Sequence, residues 1–252
     1  MLNQSFNKNS LFTVGIEEEY MLCNPITYDL ISKANEVMSR INPENSNRYS
    51  YELILSEIEA NTKICNKVDD AIEEISKHRT ELRDIGKQVG CLIGISGTHP
   101  TALPMEQLFV DNPSYNWVSS ELKYYAKRNI TFSTHIHIGL NNPEKTIMVC
   151  NSLRRWIAPL LALSINSPFF EGHLTGMCSS RTLQFSTFPR TEIPNFINSY
   201  KDYLKIIDNY VQTESIEKPR QIWWKIRPHI EYGTVEFRMC DAQRSLTNVK
   251  IL

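Results

Sequence analysis

The chain has 252 residues, enough for one large domain or two small ones. Its 27 lysines and arginines almost balance 28 aspartates and glutamates, a net charge of −1, which removes the electrostatic case for nucleic acid or an anionic membrane as a partner. Hydrophobic residues at 41% and charged residues at 22% describe an ordinary globular composition, and six scattered cysteines without a C-x-x-C pair exclude a zinc ribbon or a redox dithiol. Scattered thiols point to a reducing compartment. The amino terminus has no basic stretch followed by an apolar one, and the most apolar helical segment, residues 157–165, is too short to span a bilayer, so the expected location is the cytoplasm.

In chain order, a polar tail over residues 1–11 leads into a strand over 12–22. Residues 27–41 have helical spacing, and 49–62 are β-rich near their start with room for a bend. The clearest helix covers 66–90, where Val68, Ile72, Ile75, Leu82, Ile85 and Val89 recur near the helical period and Gly90 supplies a stop. A buried strand follows at 91–100, a helical piece at 112–127, an alternating strand at 130–140 and a helix through 144–165. A Gly/Ser loop is expected over 172–182, a helix over 195–212, paired strands at 222–228 and 233–242, and a short terminal helix. Long helices mixed with short strands indicate the α+β class. The chain has neither a GxxxxGK[ST] loop nor a GxGxxG fingerprint.

The first strand carries Glu17, Glu18 and Glu19 inside an apolar run. Buried carboxylates are costly unless a cation meets them, so one face looks either onto solvent or onto positive charge. Alternation puts Glu17 and Glu19 on one face and Glu18 on the other; it likewise pairs His135 with His137 and Glu236 with Arg238. One such pair is routine for a sheet with a wet face, whereas three pairs of metal-capable residues are better grounds for a site. Glu52 and Glu59 have odd spacing, which favours a solvated position for Glu52 unless the chain bends between them. Carboxylates with one imidazole suit Mg²⁺ or Mn²⁺ better than zinc. Glu18 is read as pairing with a surface cation, His78 as exposed on its helix, His99 as holding a turn, and His137 as either a packing residue or a ligand.

GIEEEY, E-L-x(5)-E-x-x-T at 52–62, GTHP, THIHIG, SINSPFFEG with TGMCSSRT, and RPH with GTVEFRMCDA occur in order. This ordered set resembles the carboxylate–amine ligase branch of the type 2 glutamate–cysteine ligase family. The resemblance implies a glutamine-synthetase-like catalytic fold, a curved antiparallel sheet flanked by helices, and ATP-dependent amide formation through an acyl phosphate. It implies glutamate and cysteine as candidate substrates. It also assigns metal-binding roles to Glu17, Glu19, Glu52, Glu59, His135 and Glu236, catalytic roles to Arg238 and Arg181, and nucleotide contacts to Arg238 and Arg227. Family chains continue beyond the strand that carries Glu236, so residues 12–252 are expected to form one ligase-like domain lacking that further segment. Apolar surface beside the site would then be uncovered, with self-association or a completing partner as the consequence. The alternative is a catalytically silent metal–nucleotide-binding protein or one half of a split ligase.

Overall fold

The computed structural model describes Phe6 and residues 10–252; apart from Phe6, Ser10 and Leu11, the expected polar tail lies outside the described residues. The strands are β1 (Val14–Cys23), β2 (Tyr49–Tyr51), β3 (Glu57–Asn61), β4 (Leu92–Gly94), β5 (Ser133–Gly139), β6 (Phe169–Phe170), β7 (His173–Leu174), β8 (Ile226–His229) and β9 (Thr234–Asp241). The helices are α1 (Ala34–Met38), α2 (Val68–Val89), α3 (Pro113–Leu122), α4 (Tyr124–Arg128), α5 (Pro143–Leu153), α6 (Ile157–Ser164), α7 (Ser180–Phe185), α8 (Tyr200–Gln212) and α9 (Leu246–Ile251). Seven strands form one antiparallel sheet in the order β2-β3-β1-β5-β9-β8, with β4 also paired to β1; β6 and β7 make a separate ribbon.

One face of this sheet is the core. Tyr20, Leu22, Ile58 and Ala60 pack against Val37 of α1 and against Leu82 and Ile85 of α2. Val14 and Ile16 meet Ala71 and Ile75 of α2 and Val249 of α9. Under the other half, Ile226, Val235, Phe237 and Met239 are covered by Cys150 of α5 and Ile157 of α6. The expected exposure of the β9 apolar face is therefore corrected: Val235, Phe237 and Met239 are buried because α5 and α6 lie over them.

Helix ends follow local chemistry. Gly90 closes α2 in the left-handed region at φ 74°, where other residues are strained. Asn142 caps α5 by accepting from the Lys145 amide, and Ser199 caps α8 by accepting from Asp202. Three expectations shift. The helix expected over 27–41 contracts to α1, because the Asn24 side chain accepts from the amides of Ile26 and Thr27 and Tyr28 turns left-handed at φ 65°. The 144–165 helix is broken by a 3₁₀ turn at Arg154–Trp156, since Pro159 has no amide to bond Arg155. The loop over 172–182 contains β7 and the start of α7, whose cap is Ser179 accepting from Thr182.

Candidate metal and nucleotide site

The other face of the sheet is polar and looks into a cavity of about 1170 Å³. The register fixes its pattern. Ser50, Glu59 and Glu19 lie side by side across β2, β3 and β1; Glu17 faces His135; His137, Glu236 and Arg227 form a row across β5, β9 and β8. Directly opposed residues on one face have Cβ atoms only about 5 Å apart, so strand pairing alone brings these groups together. Opposite His135 the β5–β9 register shifts, a bulge that accommodates Arg238 and Met239.

Three groupings place donor atoms within 4.8 Å of one another: Glu17, Glu59 and His135; Glu19, Glu52 and Glu59; and Glu17, His137 and Glu236. Glu17 and Glu59 each belong to two of them. Glu52 joins because β2 ends at Tyr51 and β3 begins at Glu57, so the intervening loop turns its carboxylate back. Spacing along a regular strand had favoured solvent for Glu52; the bend overrules it.

Like charges crowd the β3 side. Burial, then the Glu17 and Glu19 carboxylates, push Glu59 up to about 7, against hydrogen bonds from Asn61 and Ser50. Burial and the neighbouring Glu59 and Glu19 hold Glu52 well above the usual carboxylate range, and burial with Glu19 and Glu59 does the same to Glu57. On the β5 side the sign reverses. Burial would raise Glu17, but the His137 charge and hydrogen bonds from His135 and His137 hold it well below the ordinary value. His135 Nδ1 lies 3.0 Å from Glu17 Oε2 and its Nε2 lies 2.8 Å from Ser133 Oγ. Burial and the Arg238 charge lower His135, which keeps the imidazole neutral, as a metal ligand must be.

Glu236 is fully buried and does not line the cavity; Arg227 and Arg238 each bond one of its oxygens. Arg227 also donates to the carbonyls of Arg220 and Ile222. Arg181 donates to the carbonyls of Met239 and Arg238, at 3.2 Å and 3.1 Å. The Nε atoms of Arg181 and Arg238 are buried without a partner among the described residues, and both side chains line the cavity. Arg181 is positioned by Asp241, whose carboxylate accepts from the Asn166 amide, Ser167 Oγ and Ser179 Oγ and so clamps the start of α7 to β9. Gly97 makes this possible, since a Cβ there would lie 2.6 Å from Asp241 Cγ.

Other sequence readings are settled by contact. His99 accepts from the Thr101 and Ala102 amides and holds a turn, as expected. Glu18 does lie opposite its neighbours, but it pairs with Arg79 in the interior rather than with a surface cation. His78 is buried rather than exposed, its Nδ1 3.0 Å from the Tyr49 phenol oxygen and its ring packed edge-on to that of Tyr49. Glu57 was missed, although it shares a face with Glu59 and its alternation was available in the sequence; His229, for which the sequence left a substrate contact open without demanding one, lines the cavity stacked on Tyr232 with ring centroids 4.2 Å apart. All six cysteines are free, and among the described residues no helix is long and apolar enough to cross a membrane.

Ser50 and Asn61 donate to the same Glu59 oxygen, at 2.8 Å and 2.9 Å. Ser50→Ala combined with Asn61→Ala should raise the Glu59 pKa above about 7, because those bonds favour the charged form. Carboxyl NMR titration of the chelated protein checks this.

The fold is shared with two proteins of solved structure. A glutamate–cysteine ligase from Francisella tularensis in complex with AMP superposes with a TM-score of 0.67 at 14% identity, over 92% of this chain and 61% of that one. A bifunctional glutathione synthetase from Pasteurella multocida gives 0.66 at 15% identity, over 96% of this chain and 38% of that one. The sequence model of glutamate-cysteine ligase family 2 (GCS2) matches residues 13–252, and the chain belongs to that family. Relatives from Solibacter usitatus and Herpetosiphon aurantiacus, both carrying the name "Putative glutamate--cysteine ligase 2", are 36% and 35% identical over 93% and 91% of this chain. The chain spans 61% and 60% of their respective lengths.

Proposed function

We propose that the protein is an ATP- and Mg²⁺-dependent carboxylate–amine ligase. The observation that carries the reading is the set of three overlapping ligand groupings, all of whose members except the buried Glu236 line one cavity, with Arg181 and Arg238 beside them. Glu17, Glu19, Glu52, Glu59 and His135 would hold the ions, Glu17 and Glu59 each belonging to two groupings; Glu236 joins them through the grouping with Glu17 and His137. The donor set fits Mg²⁺ or Mn²⁺, and the raised pKa values of Glu52 and Glu59 are those of carboxylates crowded without a counter-charge. Bound there, the ions supply charge neutralisation of a polyphosphate.

The residues of the chain position and stabilise. Arg238 and Arg181 provide fixed positive charge toward phosphate oxygens, and Glu236 holds Arg227 and Arg238 in place. In the proposed reaction a substrate carboxylate oxygen attacks the γ-phosphorus and the bond to the β–γ bridging oxygen breaks, releasing ADP. The amine nitrogen then attacks the acyl carbon, phosphate leaves, and the nitrogen loses its proton. The family points to glutamate as the carboxylate and cysteine as one amine. A cavity of about 1170 Å³ has room for a nucleotide with small substrates. The reading includes a cytoplasmic setting, where thiols stay reduced.

Nucleotide should bind only with a divalent ion, because the carboxylates repel bare polyphosphate. Calorimetry with ATP and Mg²⁺, against ATP and excess chelator, checks this; equal affinity refutes the site. ADP release that needs both a carboxylate and an amine then separates a ligase from a silent nucleotide-binding protein.

A further inference from the structure

We infer that Glu57 and the aromatic side chains that share its cavity form a subsite for a primary ammonium that carries an apolar or aromatic group, the acceptor amine of the ligation. The inference rests on the ligase reading and narrows it to a substrate class.

Glu57, Glu217 and Glu231 are the cavity carboxylates that the metal groupings leave out, and of these Glu57 is the buried one. It is only 4% exposed, yet among the described residues its carboxylate accepts no hydrogen bond and forms no ion pair. The nearest guanidinium that acts on it, Arg181, spends its Nη donors on the carbonyls of Met239 and Arg238. Burial and the Glu19 and Glu59 charges disfavour an ionised Glu57 in the empty site, and an ammonium, with three N–H donors, is the compact cation that offsets that cost.

The surroundings choose which ammonium. Tyr115, Val118, Phe185, Phe188 and Trp223 line the same cavity. The rings of Phe185, Phe188 and Trp223 form a row, with Phe188 5.7 Å from Trp223 and 6.0 Å from Phe185 between centroids, and Tyr115 and Val118 belong to the same apolar cluster as Phe188 and Trp223. Tyr115 is fixed by donating to the Tyr51 carbonyl at 2.6 Å, and it feels the charge of Glu57 as well as of Glu52 and Glu59. Trp223 is held from behind by Trp117, 6.4 Å away, and by the Arg190 guanidinium 5.5 Å over its ring. Aromatic faces attract an organic cation and remove its apolar part from water. A small polar amine gains nothing from such a row.

The test is calorimetric titration of the full chain with phenethylamine, ethanolamine and 2-phenylethanol, with Mg²⁺ and both with and without a non-hydrolysable ATP analogue. Phenethylamine is expected to bind at least about tenfold more tightly than either comparison compound, the neutral alcohol lacking the charge and ethanolamine the ring. Glu57→Gln should erase the preference over the alcohol while Mg²⁺-dependent analogue binding is retained. Trp223→Leu should erase the preference over ethanolamine, and it serves where Glu57→Gln fails to fold. Equal affinities for the three compounds, or Glu57→Gln weakening Mg²⁺ instead of the amine, overturn the subsite. Analogue binding is read in the same titrations, so loss of the ligase reading and loss of the subsite are separate results.

Discussion

Arg79→Ala is expected to destabilise the protein by about 3–5 kcal/mol, a drop in Tm of about 10 °C for a chain of this size. Glu18 is fully buried behind β1. Its Oε1 and Oε2 accept from Arg79 at 2.6 Å and 2.8 Å, and Tyr20 donates to Oε2 at 2.5 Å. Arg79 also donates to the carbonyls of Gln243 and Arg244, each at 2.6 Å, so one guanidinium ties α2 to the segment that follows β9. Removing it strands a carboxylate in the core and frees two carbonyls. Replacing both partners, Glu18→Leu with Arg79→Leu, removes the uncompensated charge and should lose less than the sum of the two single losses. Urea unfolding of the four proteins measures this cycle; additive losses would show that the pair is not the source of the effect.

Raising the pH from about 6.5 to about 8.5 in chelator should lower stability by about 1–2 kcal/mol. The sign follows from Glu59, whose pKa of about 7 in the folded chain exceeds its ordinary value of 4.5. Between those values the folded state binds more protons than the unfolded one, so stability is full below the unfolded value and is lost as pH rises through the folded one. Glu52 and Glu57, also raised by burial and like charges, act in the same direction. Burial lowers His135 and takes His229 down to about 3; these residues work oppositely, with a contribution that fades above the ordinary imidazole value of 6.5, while His137, which burial would lower but the Glu17 and Glu236 charges raise, loses stability with the carboxyls as the pH rises. Above 6.5 the carboxyl cluster therefore dominates. Saturating Mg²⁺ should flatten the dependence, because ions bind the deprotonated cluster and gain affinity as the protons leave. Thermal melts across this range decide it: a flat or rising Tm in chelator contradicts the crowded cluster.

Much of the site was legible because strand geometry is simple. Alternation alone put Glu17 with Glu19, His135 with His137 and Glu236 with Arg238, and the structure keeps all three pairs on one face. Glu52 was not legible from spacing, because its place depends on a loop between β2 and β3; the resemblance to known ligases supplied it. The interior partner of Glu18 could not be read either. Arg79 lies 61 residues along the chain, and nothing local marks which helical arginine meets a buried carboxylate. The truncation of the 27–41 helix was signalled by Asn24 and Pro25, whose turn chemistry outweighs the apolar spacing that follows.

The strand order has a kinetic meaning. β1 is central, yet its neighbour β5 follows it by more than a hundred residues, as Glu17 opposite His135 shows, and β9 comes later still. Pairings this distant must overcome loop closure before they repay it, so they form late. The carboxylate- and histidine-bearing face is thus assembled from contacts of large sequence separation, and an amino-terminal fragment emerging during synthesis carries Glu17, Glu19, Glu52 and Glu59 with no imidazole opposite them. Interactions made after the rate-limiting step slow unfolding and leave the folding rate nearly unchanged. A divalent ion should therefore act on this chain as a brake on unfolding, with little influence on how quickly the sheet closes.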